Sequence, residues 1–196
     1  MTPLLKLSGL IDALNAAVSK AAFWLVLIMT VISAGNASVR FAFNYSSNGL
    51  LEIQWYLFAA IFLLCSAYTL QKNEHVRIDV LSGKLSPRGQ AVIDIIGTLV
   101  FLLPMVILVL WLSIPLVAES YKIQEMSANA GGLIRWPVKL LLPIGFTLLA
   151  LQGVSELIKR FAFLAGLIED PNSKDKKLSP EEELAAEIAR LAQEKK

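Results

Sequence analysis

Four long runs without a single charged residue constrain this chain more than any other feature. They are Ala21–Val39, Ile53–Gln71, Ile95–Ala118 and Leu140–Ser155, of 19, 19, 24 and 16 residues. A helix rises 1.5 Å per residue, so 19 residues cover roughly 28 Å, about one hydrocarbon core. Runs of that length argue for transmembrane helices rather than the buried helices of a soluble domain. The fourth run is short. It crosses if Lys139 and Glu156 reach the interfaces by snorkelling, or if its helix starts nearer Trp136. The expected fold class is therefore an all-α integral membrane protein with four transmembrane helices, at about 21–39, 53–71, 95–118 and 136–158.

Composition agrees. Charged residues make up 17% of the chain and hydrophobic ones 56%, against about 25% charged in a soluble domain. This excludes a disordered protein, a disulfide scaffold and a soluble nucleic-acid binder, so no nucleic-acid partner is expected. The charges are also uneven. Residues 169–196 hold 6 Lys/Arg and 8 Asp/Glu, leaving a basic body of 12 Lys/Arg and 8 Asp/Glu before them.

Orientation follows from basic residues near the span ends. With a cytoplasmic N-terminus, the inner segments carry Lys6, Lys20, Lys72, Arg77, Lys84, Arg88, Lys159 and Arg160. The outer segments carry only Arg40, Lys122, Arg135 and Lys139, so both termini are expected in the cytoplasm. Trp55, Trp111 and Trp136 then fall at the outer interface and Trp24 at the inner one. No cleaved signal peptide is expected, because the apolar run begins only at Ala21.

Residues 1–20 read as an amphipathic interfacial helix, with Leu4, Leu7, Ile11, Leu14 and Val18 on one stripe and Lys6, Ser8, Asp12 and Asn15 off it. A plain extension of the first span is the competing reading. Residues 169–196 read as a cytoplasmic linker and a short helix. Ser179-Pro180-Glu181-Glu182 places Ser at the N-cap, Pro at N1 and Glu at N3. Pro104, Pro115 and Pro143 lie inside the last two spans, where neighbouring protein must re-satisfy the carbonyls they free. Ala59, Ala60, Ser66, Ala67 and Gly97 are small residues suited to close helix approach.

Chemistry is sparse. There is no Gly-rich phosphate loop, Cys pair or HExxH, and no loop is large enough for an enzyme domain, so no enzymatic activity is expected. With Cys65 and His75 alone of their kinds, no cofactor or metal site is expected either. His75, Arg77 and Asp79 read as an inner-loop anchor. Glu52 is the most telling charge. It sits at the outer end of span two, before Trp55 and Tyr56, where a carboxylate costs less than at mid-membrane. The span interiors hold no ionisable residue, whereas pumps and ion-coupled carriers normally need one there. The chain reads as a polytopic subunit without its own translocation site.

The stretch Glu52-Ile53-Gln54-Trp55-Tyr56-Leu57-Phe58-Ala59-Ala60-Ile61-Phe62-Leu63-Leu64, then Ala67-Tyr68-Thr69-Leu70, then His75-Val76-Arg77-Ile78-Asp79-Val80-Leu81, resembles the small membrane subunit (Q subunit, DctQ-like) of tripartite ATP-independent periplasmic (TRAP) transporters. The resemblance runs over about residues 5–165 and excludes the tail. It implies four spans with both ends cytoplasmic, a bacterial inner membrane, and sodium-coupled uptake of an organic acid without ATP. It also implies two protein partners: a large membrane subunit that carries substrate and sodium, and a periplasmic substrate-binding protein. Glu52, Trp55 and Tyr56 would then meet the large subunit. Arg40, Lys122, Arg135 and Lys139 are candidates for the surface facing the binding protein, from orientation rather than motif. The alternative, a membrane anchor of a respiratory or redox complex, calls for paired His ligands that the chain does not have.

Overall fold

The computed structural model describes residues 2–45, 47–74 and 86–169. Helix α1 is Thr2–Phe43 and α2 is Asn48–Gln71. Helix α3 runs over Pro87–Lys122, with a π-helical turn at Thr98–Leu102, and α4 is Trp136–Leu164. All four are long and apolar enough to cross a membrane. Among the described residues there is no strand, only an isolated antiparallel bridge between Met126 and Ile134. The fourth span begins at Trp136, the longer of the two starts the sequence allows.

Local signals account for the ends. Ser86 caps α3, accepting from the Gly89 N–H at 3.3 Å, with Pro87 in the first turn, where a missing N–H is harmless. The chain leaves α2 and α3 through left-handed residues, Asn73 (φ 55°) and Gln124 (φ 48°). Gly166 (φ 72°) does the same after α4, with the Leu167 N–H returning to the Ala162 carbonyl at 3.0 Å. The π turn in α3 immediately precedes Pro104. The proline cannot donate to the carbonyl four residues back, and its ring crowds that carbonyl. The Leu103 N–H instead reaches the Thr98 carbonyl five residues back, widening the turn ahead of the proline.

The helices surround α4. It packs against α1, α2 and α3, and α1 packs against α2, whereas α3 is held chiefly by α4. The buried residues of α4 are mostly small or polar: Gly145, Leu148, Gln152, Gly153, Ser155, Arg160 and Ala162. Large apolar side chains instead point outward, among them Phe23, Trp55, Phe62, Phe101 and Trp111. Lipid solvates apolar surface as well as a protein core does, so close backbone approach and hydrogen bonding organise the interior. Ala60 and Ala67 serve the close approach as expected, both being buried. Gly97 does not, since an added Cβ there meets nothing within 4 Å.

Of the two readings of the N-terminal segment, the structure has the plain extension: Thr2–Phe43 is one helix of 42 residues, roughly 63 Å long. Its inward side carries Ser8, Ile11 and Asn15, while Leu4, Leu7 and Leu14 are exposed. The polar residues turn inward because α4 offers them hydrogen-bond partners, as described below.

The crossing of α2 and α4 depends on Gly145. A Cβ built there lies 2.8 Å from both the Cβ and the carbonyl oxygen of Leu63, and backbone cannot yield as a flexible side chain can. Gly145→Ala is expected to destabilise the purified protein by about 1–3 kcal/mol. Gly35→Ala, where nothing lies within 4 Å, should be neutral or stabilising by up to ~1 kcal/mol. Thermal unfolding in detergent of the two variants gives the comparison, and equal midpoints would remove the close crossing from the account.

Candidate functional site

The loop between α3 and α4 folds back over the start of α2. Its two arms meet through the Ser127 N–H to Leu133 carbonyl bond (2.9 Å) and the Arg135 N–H to Glu125 carbonyl bond (2.8 Å). Gly131 (φ 70°) turns the tip, and the Gly132 N–H donates to the Asn129 carbonyl at 3.0 Å. The left-handed backbone at Gly131 favours glycine.

Glu52 is the anchor of this loop. It is 3% exposed. Its Oε1 accepts from the Ser127 hydroxyl in a short bond and from Asn129 Nδ2 at 2.8 Å. Its Oε2 accepts from the Leu133 N–H at 2.7 Å. An ionised carboxylate accepts all three donors at once, which is what a buried charge needs. Two neighbouring bonds extend the clasp: Tyr56 donates its hydroxyl to the Ile134 carbonyl (3.1 Å), and Asn48 Nδ2 donates to the Ala130 carbonyl (2.9 Å). At Gly132 an added Cβ would lie 2.8 Å from Glu52 Oε1, so the loop closes over the carboxylate only with glycine there. Edge-to-face stacking of Tyr121 on Trp136, centroids 5.3 Å apart, joins the two helix ends beneath the loop.

The structure therefore separates the trio expected at a large-subunit contact. Glu52 and Tyr56 find their partners within this chain, whereas Trp55 is 66% exposed and points away. The basic residues expected to face the binding protein also divide. Arg40 and Lys122 are exposed at the ends of α1 and α3, and Arg135 is exposed with one nitrogen 3.5 Å from Ser127 Oγ. Lys139 is engaged in an ion pair with Glu125. His75, Arg77 and Asp79 lie outside the described residues, as does the expected C-terminal helix.

A second polar cluster, not anticipated from the sequence, joins the first half of α1 to the last half of α4. Gln152 is fully buried; its Oε1 accepts from Asn15 Nδ2 (2.6 Å), and its Nε2 donates to Asp12 Oδ1 (2.9 Å) and Glu156 Oε1 (3.0 Å). Ser155 donates to Asp12 Oδ1 at 2.8 Å and sits 2.7 Å from the Ser8 hydroxyl. Lys159 bridges Asp12 (3.2 Å) and Glu156. Beside them Arg160 pairs with Asp94 of α3 at 3.2 Å. The signal was available: Gln152, Ser155, Glu156 and Lys159 recur at three and four, as do Ser8, Asp12 and Asn15.

Residues 14–163 match the family described as tripartite ATP-independent periplasmic transporters, DctQ component. The chain belongs to that family. A protein of Haemophilus influenzae bearing the name "Putative TRAP transporter small permease protein" is 29% identical over 90 residues. That match covers 46% of this chain and 56% of the relative's length. No solved structure matches the chain.

The clasp has a pH dependence at Glu125, which lies outside the spans. The hydrogen bond from Lys139, and its positive charge, hold its carboxyl below the ordinary value of 4.5. A folded-state pKa lowered in this way contributes stability above the unfolded value, and the contribution is lost as pH falls through the folded one. Wild type should therefore unfold at a higher temperature than Glu125→Gln at pH 7. That gap should narrow progressively as pH falls below 4.5 and through the lowered folded value. A gap that does not change with pH would show that the ion pair is not its source. For the carboxylate beneath the loop, proteolysis across Ser127–Leu133 should accelerate in the order wild type, Glu52→Gln, Glu52→Ala, because glutamine keeps one acceptor and alanine none.

Proposed function

We propose that this DctQ-family chain is the small accessory membrane subunit of a sodium-coupled transporter. The transporter would import an organic carboxylate captured by a periplasmic substrate-binding protein. In this reading the chain scaffolds the large membrane subunit and does not itself carry the substrate. It sits in a bacterial inner membrane with both termini cytoplasmic.

The observation that carries the reading is where the polar groups lie. Ionisable side chains gather toward two ends of the bundle, around Glu52 and Glu125 and around Asp12, Glu156 and Lys159, where they bond to each other or to the chain. The charge-free middle of each span is closed by small residues such as Gly145, Ala60 and Ala67. An arrangement of that kind suits a rigid support better than a moving carrier, which needs ionisable groups at mid-membrane. The outer face of α2 offers the support its contact: Leu51, Trp55, Phe58 and Phe62 recur at helical spacing and are exposed. Trp55 lies in that stripe near the end of the span, where a tryptophan favours an interface.

Uptake by proteoliposomes tests the reading. Small subunit, large subunit and binding protein reconstituted together should accumulate a labelled carboxylate when a sodium gradient is imposed. Omitting this chain should abolish uptake, and Trp55→Ala should lower capture of the large subunit without lowering this chain's own melting temperature. Equal uptake by the large subunit alone would reject the scaffold role.

A further inference from the structure

The outer halves of α1 and α2 leave an open groove between them, of about 570 Å³. From α1 it is lined by Ser33, Ala37, Asn36 and Arg40, and from α2 by Gln54 and Leu51. Leu51 is also the first residue of the exposed α2 stripe, so groove and stripe are continuous. The groove continues along α1 over Ala34, Thr30 and Met29.

One polar atom in this groove is left over. Asn36 is 7% exposed, and its Oδ1 is fully buried with no hydrogen-bond partner. Its neighbours on α1 have no such deficit. Thr30 donates to the Val26 carbonyl (2.8 Å) and Ser38 to the Ala34 carbonyl (2.9 Å), each on its own helix. Gln54 likewise donates to the Leu50 carbonyl (3.0 Å). Asn15 Oδ1 also lacks a donor, but it is enclosed between α1 and α4 and open to no partner. An unpaired carbonyl oxygen in apolar surroundings is costly, and lipid tails beside the groove have no donor for it. One turn further out, Arg40 stands exposed, with no acidic partner among the described residues.

We propose that the α1–α2 groove is the seat of a transmembrane helix of the partner membrane subunit. That helix would carry a hydroxyl or amide donor at the depth of Asn36 and a carboxylate about 6 Å further out, facing Arg40. The proposal rests on the accessory-subunit reading and places the contact within it. Small residues on the floor let the two backbones approach, as in other membrane helix pairs. The Asn36 amide then gains the bond that lipid cannot give. A phospholipid fits the groove less well. Its phosphate matches Arg40, but one turn deeper it presents ester oxygens, which accept rather than donate.

The test is capture of the large subunit by full-length small subunit, the two co-expressed and purified in mild detergent. Ala37→Trp fills the groove from an exposed position, so this chain's own melting temperature should not change while capture falls at least ten-fold. Asn36→Leu should lower apparent affinity roughly three-fold, the scale of one interhelical hydrogen bond in a membrane. If Ala37→Trp captures as wild type does, the groove is not the seat, although the accessory-subunit reading stands. If Ala37→Trp instead strips bound phospholipid from an otherwise intact complex, a lipid occupies the groove and the proposal is wrong. Failure of wild type to capture the large subunit overturns both.

Discussion

A polar group inside a bilayer has no water to fall back on, and this fold is arranged around that constraint. Its buried set contains Ser8, Asn15, Asn36, Glu52, Gln152, Ser155 and Arg160, while phenylalanines and tryptophans cover the outside. In water such a molecule would be inside out. In hydrocarbon the burial of an apolar side chain gains little, because lipid solvates it equally well. What remains to hold the helices is close contact through small residues and hydrogen bonds whose alternative is an unpaired group. Helix α4 supplies both, with Gly145 against Leu63 near its start and Gln152 and Ser155 against α1 further along.

The two polar clusters act at opposite ends of the same helix. Glu52 fixes the loop that leads into α4, so the entry to α4 is held against α2 as well as against α3. Gln152, Glu156 and Lys159 fix its far half against α1, and Arg160 adds α3. Because α3 packs chiefly on α4, its position depends on these ties and on the loop. The carboxylates of Glu52 and Asp12 therefore do comparable jobs: each accepts several donors and fixes how a neighbouring element sits on α4. Removing one partner of such a set is costlier than replacing the whole set with apolar residues, since it leaves a desolvated charge.

Much of this architecture was legible in the sequence because the bilayer sets a length scale. Charge-free runs of 19 to 24 residues located three helices, and Trp136 located the start of the fourth. Glu52 also stood out, since a lone carboxylate at a span end demands partners. Those partners were not legible. Ser127, Asn129 and Leu133 lie 75 to 81 residues away, on a loop with no helical period to point at Glu52. The partner of the first helix was not legible for a related reason. An apolar stripe is assumed to face protein or membrane and a polar one water, yet Ser8, Asp12 and Asn15 face the Gln152–Lys159 stretch of α4. The two stripes make sense only as a pair, and periodicity within one helix cannot show that.

The same constraint bears on assembly. Once the chain is folded, each buried polar atom is either bonded within it or is an account left open. Glu52 and Tyr56 bond to the chain's own loop, so the motif around them orders this subunit, and what it leaves exposed is the apolar row of Trp55, Phe58 and Phe62. The exposed aromatic stripe of α2 can be solvated by lipid and is indifferent to being covered. Asn36 Oδ1 cannot be so solvated. In a membrane, then, the surface that specifies a partner is better read from its unsatisfied polar atoms than from its apolar area. By that criterion the α1–α2 groove, where Asn36 lies one turn from Arg40, says more about a neighbour than the aromatic stripe of α2 does.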